Sequence, residues 1–356
     1  RDVQVNDVLG MSGRGANSYP VFDTNTSMGE SSCVGCGECV QACPTGALIE
    51  TSLVNDDNNQ TVYPDKKIKS LCPFCGVGCQ TLVSVKDNSI MSVDGYEGPA
   101  NENRLCIKGR FGYDYISSPV RLKEPLIRIS QKTKSWDLSI DDKNIFKYFR
   151  KASWDEALNQ ASQNFTKILK NNENALAGFG SAKGSNEEAY IFQKLIRTGF
   201  QTNNVDHCTR LCHASSVAAL LQSVGSAAVT APFTAVKDTE CIILIGARPE
   251  QNHPVAASYF KQAVKNGSKL IIMDPRRQNL SRYATHHLQF NPGQDLALLN
   301  AIIHTIIKEN LINEDYIKNH TEGFTLLEKE IEKFNPSVME DSVAYTHLTL
   351  PTILLV

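Results

Sequence analysis

Cys33-Val-Gly-Cys36-Gly-Glu-Cys39-Val-Gln-Ala-Cys43-Pro44 and Leu71-Cys72-Pro-Phe-Cys75-Gly-Val-Gly-Cys79 are the stretches from which the architecture is read. Together with Cys106, in Arg104-Leu-Cys-Ile-Lys-Gly109, they hold eight of the 11 cysteines. The spacings are C-x2-C-x2-C-x3-C and C-x2-C-x3-C-x26-C. Disulfides fit poorly, because cysteines this close in sequence rarely meet bridge geometry and a chain this long needs no staples. Structural zinc takes two pairs, one from each loop. Here one short loop supplies three thiolates in each group, which suits three corners of a cuboidal cluster.

The first group, with Pro44 behind it, has the spacing by which bacterial ferredoxins hold [4Fe-4S] clusters. In two-cluster ferredoxins the fourth cysteine serves the other cluster. Cys33, Cys36 and Cys39 then need one more ligand and Cys43 needs three, and these are expected upstream of Arg1. Gly35 and Gly37 are expected where a side chain would crowd the cluster. In the second group a [4Fe-4S] site is expected, with zinc as a competitor. Alternating apolar residues at Leu82, Val83, Val85, Ile90 and Val93 predict a short antiparallel hairpin between Cys79 and Cys106.

Outward from these loops, residues 1–66 are polar and rich in Gly and Asn, as a small loop-dominated module, with residues 55–60 as a surface loop. Residues 67–122 read as short strands around the second cysteine set, and 123–150 as irregular surface. From Ser153 the pattern alternates between helix and strand. Ser153 and Glu156 form a capping box ahead of Ala157, Leu158, Ala161, Phe165 and Leu169. Ala175–Gly180 is a short apolar segment, and 186–199 a helix. Cys241–Ile245 reads as a fully buried strand, 255–266 as its helix, Leu270–Met273 as the next strand, and 295–308 as a further helix. This alternation predicts a parallel sheet covered on both faces, with ligands at the carboxyl ends of strands. Those ends are 246–253 and 274–277. Cys208 is expected to pack, Cys241 to lie in the core, His286 and His287 to serve surface or capping roles, and His253 to start a helix. The segment from Tyr345 to Val356 changes character abruptly and reads as a non-native tail.

Composition narrows the function. With 36 Lys+Arg and 38 Asp+Glu the formal charge is -2, which gives no bias toward nucleic acid. Hydrophobic residues at 41% support a folded core in two or three domains. No apolar run reaches the ~18 residues of a membrane span. The chain opens on Arg1 and is expected to be a fragment.

Four features together resemble the molybdenum/tungsten bis-pterin-guanine-dinucleotide oxidoreductases, most nearly the catalytic alpha subunit of NAD-linked formate dehydrogenases. They are the Cys72–Cys106 spacing, Cys-Ile-Lys-Gly109, Ser153-Trp-Asp-Glu-Ala157, and Asp206-His-Cys-Thr-Arg-Leu-Cys-His213. The resemblance implies a multidomain α+β and α/β architecture: a truncated ferredoxin-like module (1–66), a small β-rich [4Fe-4S] domain (67–122), and an incomplete doubly wound α/β molybdopterin-binding region (123–344).

It also implies roles. Cys212 ligates the metal, and His213 beside it assists proton movement. Lys108 lies between the proximal cluster and a pterin. Lys183, Gly246, Asp274, Arg276, Gly293 and Asp295 hold the guanine dinucleotides. From the residues alone, Cys212 reads first as a core thiol, His213 as structural and Lys108 as a solvated lysine. The implied reaction is oxidation of formate to carbon dioxide at molybdenum or tungsten. Electrons pass through [4Fe-4S] clusters to a flavin/iron–sulfur subunit that reduces NAD, or to ferredoxin or a hydrogenase, in the cytoplasm. The arginine that orients formate is expected beyond residue 356, so little or no formate oxidation is expected of the isolated chain. Two rivals stay open: an assimilatory-type nitrate reductase, and a pterin-free iron–sulfur relay like the large subunit of complex I.

Overall fold

The computed structural model describes residues 1–57, 61–129, 139–172, 174–229 and 231–343; the 345–356 tail lies outside them. The amino-terminal module is mostly loop. Strands β1 (Leu9–Ser12) and β2 (Tyr19–Phe22) pair antiparallel, and a short helix α1 (Glu38–Ala42) carries Cys39. Tyr283 Oη donates to the Val5 carbonyl at 2.6 Å and Lys261 Nζ to Asn6 Oδ1 at 2.9 Å, which ties the first residues to the distant α/β region.

Next comes a three-stranded antiparallel sheet, β3 (Lys66–Leu71), β4 (Gln80–Lys86) and β5 (Ser89–Gly95). Its β4–β5 turn is Asp87-Asn88, both at positive φ (50° and 59°), the two-residue geometry that matches strand twist. This is the hairpin expected from the alternation. The β3–β4 connection is the cysteine loop itself: Leu71 faces Gln80, and Cys72 N donates to the Cys79 carbonyl at 2.9 Å. Helix α2 (Ile107–Phe111) follows Cys106 directly.

Strands β6 (Leu126–Arg128) and β7 (Phe149–Lys151) form a small antiparallel ribbon before α3 (Trp154–Asn171). Ser153 Oγ accepts from Glu156 N at 3.1 Å, so one arm of the expected capping box is present. The other arm is not, because Glu156 pairs with the Arg150 guanidinium, a stronger partner than a neutral N–H. The complete box is one helix later, at Ser185 and Glu188 ahead of α4 (Asn186–Lys194), which continues as a π-helical turn over Leu195–Gly199. The apolar stripe of α3 is uncovered, with Leu158 61% exposed. Strands β8 (Gly178–Gly180) and β9 (Val205–His207) pair in parallel and lead into α5 (Thr209–Cys212) and α6 (Ala214–Val224).

The second parallel sheet has order β10 (Cys241–Ile245), β11 (Lys269–Met273), β12 (His286–Leu288). Helices α7 (Pro249–Asn252) and α8 (Pro254–Lys265) connect β10 to β11, with His253 capping α8 as expected. After β12 come α9 (Asp295–Lys308), α10 (Glu314–His320), α11 (Phe324–Ile331) and α12 (Pro336–Val343). Central β11 is buried on both faces. Leu270 and Ile272 pack with Ala263 of α8, while Ile271 and Met273 pack with Leu298 of α9.

Strand β10 departs from expectation: Ile242 is buried, but Cys241 and Ile243 are exposed. It is an edge strand with one face open, and a short apolar run does not reveal that. Helix α8 also supports the cysteine domain. Its Val255, Ala256 and Tyr259 share one apolar cluster with Cys72, Cys79, Leu105 and Cys106. The Arg104 guanidinium stacks 4.1 Å over the Tyr259 ring and donates to Ser258 Oγ at 3.1 Å. Among the described residues, no helix is long and apolar enough to cross a membrane.

Candidate cluster and metal sites

The first cysteine loop is shaped by short backbone contacts. Asp23 accepts from Ser32 N at 2.6 Å and Ser32 Oγ at 2.8 Å, and Gly35 N points at Cys33 Sγ at 3.4 Å. Burial pushes the Cys36 thiol up, and its neighbours Cys33 and Cys39 push the same way. Cys43 stands apart. Hydrogen bonds from Thr45 Oγ1 and Leu48 N stabilise its thiolate, bringing the group down to about 7. In cluster-free protein Cys43 should therefore alkylate with a midpoint near pH 7. Peptide mapping after iodoacetamide at a series of pH values checks this.

The second set is tighter. Cys72, Cys79 and Cys106 are buried and Cys75 lies against them. Burial first, then the Cys72, Cys75 and Cys106 thiols, push Cys79 up to about 12. Four free thiolates in such a pocket repel one another and lack water, so they ionise only when a cationic group accepts their charge. Among the described residues no three His, Cys, Asp or Glu side chains are placed to share one metal ion. The ligand hairpin is pinned by Asn101, which is fully buried. Its Oδ1 accepts from Gln80 N at 3.0 Å, and its Nδ2 donates to the carbonyls of Gln80, Tyr96 and Arg104 at 3.1, 3.2 and 3.0 Å. Asn101→Ala should cost about 3 kcal/mol, at roughly 1 kcal/mol per lost bond less partial rehydration; the denaturation midpoint of the cluster-loaded chain checks this.

Helix α2 is wedged between the two loops. A Cβ on Gly35 would stand 3.0 Å from Ile107 Cδ1, and one on Gly37 would stand 2.1 Å from Arg110 Cδ. Both glycines have left-handed φ, 62° and 73°. They leave room for α2. Arg110 is not among the residues that the motifs single out. The signal available was its place directly after Cys-Ile-Lys-Gly109, with Glu38 between Cys36 and Cys39 as an opposite charge.

On the same helix, exposed Lys108 reaches across to the β10 end: its Nζ donates to the Gln251 carbonyl at 3.4 Å. Its charge also favours the Cys72 thiolate, so Lys108 lies between the second thiol set and a strand-end loop.

The strand ends are joined side by side. Gly246 N donates to the Met273 carbonyl at 2.9 Å and Asp274 N to the Leu288 carbonyl at 3.2 Å. Gly246 takes φ 56° and Gly293 φ 85°. Asp274 is buried and spends its oxygens on its own turn, accepting from Arg276 N at 2.8 Å and Gln278 Nε2 at 3.4 Å. That turn leaves Arg276 exposed, and exposed Asp295 opens α9. Exposed Lys183 lies in the β8–α4 loop and lines two cavities. One, of about 710 Å³, is walled by Phe179, Arg197, Asp206 and His207. The other, of about 630 Å³, lies between Lys183 and the Cys72–Gly78 loop.

Cys212 ends α5 and His213 follows it, and both are exposed. They line neither cavity, although β9, which feeds α5, lines the larger one. Cys212 is thus not the core thiol that composition alone suggests. Cys208 and Cys241 are exposed too, contrary to expectation. Cys208 precedes the short exposed helix α5 as its N-cap, and Cys241 lies on the open face of β10. His286 and His287 are half-buried in β12, each with Nε2 shielded and unpartnered, and do not lie on the surface.

Comparison with known proteins places this geometry. A model of the molybdopterin oxidoreductases matches residues 121–339, its Fe4S4 domain matches 65–118, and a 4Fe-4S binding domain matches 29–49. The chain is 38% identical to the F420-dependent formate dehydrogenase 1 subunit alpha of Methanococcus maripaludis, over 76% of this chain and 37% of that protein. It is 35% identical to formate dehydrogenase H of Escherichia coli, over 78% of this chain and 38% of that protein. Among solved structures, acetylene hydratase from Pelobacter acetylenicus superposes with a TM-score of 0.65 at 22% identity, covering 78% of this chain and 37% of its own. That likeness shows the fold. The chain thus spans little more than a third of the length of these relatives. Two cysteine sets joined by one helix, followed by a parallel-stranded region that the family model matches almost throughout, make the chain a member of the molybdopterin oxidoreductases.

Proposed function

We propose that this chain belongs to the catalytic subunit of a formate dehydrogenase, converting formate to carbon dioxide, one proton and two electrons. The observation that carries it is the Cys212-His213 pair, open to solvent, on a chain in which Lys108 links the second thiol set to the β10 loop. Identity to two formate dehydrogenases supports the choice of substrate. A bound molybdenum or tungsten bis-pterin guanine dinucleotide supplies the two-electron chemistry, which no side chain performs.

The chain's residues hold and serve that group. Cys212 would ligate the metal as thiolate, a soft donor that tunes its potential. His213, beside it, would assist movement of the proton. Lys108 would place a cation beside the proximal cluster and a pterin. Lys183 and Arg276 suit phosphates as exposed cations in loops; Gly246 and Gly293 turn the backbone, and Asp274 and Asp295 shape the loops that present it. Electrons would leave through [4Fe-4S] clusters at Cys72–Cys106 and then at Cys33–Cys43. The ferredoxin-type spacing supports ligation of Cys33, Cys36 and Cys39 to one cluster and Cys43 to another. The acceptor is a flavin/iron–sulfur subunit reducing NAD, with ferredoxin or a hydrogenase as the other outcome, and the location is cytoplasmic.

Metal analysis and dye assays on the holoenzyme test this. Molybdenum or tungsten with formate-dependent viologen reduction is expected. Nitrate-dependent oxidation of reduced viologen would mark a nitrate reductase, and iron alone a pterin-free relay. Co-purification of a flavoprotein would identify the acceptor.

A further inference from the structure

An electron route through two cysteine sets needs them held at a fixed separation. Arg110 meets that need. Its side chain is fully buried, and its guanidinium reaches three elements. Nε donates to the Cys36 carbonyl at 2.8 Å, inside the first ligand loop. Nη2 donates to Glu38 Oε1 at 3.0 Å and Gln41 Oε1 at 2.8 Å on α1, and Nη1 to Asp94 Oδ1 at 3.1 Å on β5. Glu38 Oε1 also accepts from Leu105 N at 2.8 Å, one residue before the ligand Cys106. One ion pair therefore grips backbone at a ligand of the first set and beside a ligand of the second. Gly37 keeps the ligand loop open for the Arg110 stem.

We propose that Arg110 is a positioning residue that fixes the distance and orientation between the two iron–sulfur clusters, and so sets the rate of electron transfer between them. This rests on the reading that both cysteine sets hold clusters. The step moves one electron: the reduced Cys72–Cys106 cluster is oxidised and the cluster on the Cys33 loop is reduced. No bond to protein forms or breaks. A planar fork with five donors suits acceptors in several directions, whereas a lysine ammonium keeps the charge and loses the fork.

The test is Arg110→Lys in the holoenzyme with its clusters in place, reduced with dithionite and measured by electron paramagnetic resonance. Iron content and cluster absorption should match the unsubstituted chain, while the spin–spin splitting between the two reduced clusters collapses or broadens. Gln41→Leu, which removes one acceptor and leaves the ion pair, should shift the splitting less in the same direction; it carries the test where Arg110→Lys does not accumulate. An unchanged splitting at full cluster content overturns the proposal. Absence of either cluster from the unsubstituted chain overturns the cluster reading instead, and is seen before any variant is measured.

Discussion

Cys212→Ser in the holoenzyme should take formate-dependent dye reduction to background while leaving the iron content and the cluster absorption unchanged. The two effects separate because Cys212 lies in neither cysteine set and belongs to an exposed four-residue helix, not to the core. A serine fits the same surface position without strain. It replaces a soft thiolate with a hydroxyl that stays protonated at neutral pH and ligates a heavy, sulfur-loving metal poorly. Groups that merely hydrogen-bond to a metal ligand are worth about 10–100-fold, and loss of the ligand itself should exceed that. His213→Ala should cost less and should alter the pH profile, since the role proposed for it is with the proton. Cys208→Ser is the control. It lies one helical turn earlier, is also exposed, and should leave the rate unchanged.

The second large effect concerns stability. Cys79→Ala should abolish cooperative unfolding of the domain around the second cysteine set, with loss of one cluster's iron. Cys72, Cys79 and Cys106 are themselves core residues there, packed with Val77, Val83, Val93 and Leu105. Structural zinc in zinc-finger peptides contributes about 10–16 kcal/mol, and ligation on that scale would match the ~5–15 kcal/mol that holds a typical domain together. The pH dependence has a definite sign. Without iron, burial and like-charged neighbours hold the Cys79 thiol up to about 12, so at neutral pH it is protonated. Ligation must displace that proton, and protons therefore compete with iron. Cluster retention should weaken as pH falls and strengthen as it rises toward that value. Iron release to a chelator, followed by cluster absorption from acid to alkaline pH, checks this; release that quickens with rising pH would contradict it.

Legibility in the sequence followed the range of the interactions. The cysteine loops, the Asp87-Asn88 hairpin and helices α8 and α9 are encoded by neighbours a few residues apart, and each stands where periodicity placed it. Periodicity does not reveal the contacts of Arg110, because its acceptors at Cys36, Glu38, Gln41 and Asp94 lie far away in sequence; only its place after Cys-Ile-Lys-Gly109 marks it. The apolar run of β10 and the helical stripe of α3 both formed the expected element. The burial expected of β10 does not hold and most of the α3 stripe is exposed, because apolar composition does not say whether a neighbour covers the face. At the site, Cys212 was singled out by its motif alone. The joining of Gly246 to Met273 and of Asp274 to Leu288 depended on strand order, which no local pattern gives.

X-ray absorption at the molybdenum or tungsten edge of the holoenzyme reaches the central claim most directly, read beside the same spectrum of Cys212→Ser. The expected result is a heavy metal whose sulfur shell loses one scatterer on substitution. An identical shell in both proteins, or no such metal in the unsubstituted enzyme, would contradict the assignment of Cys212.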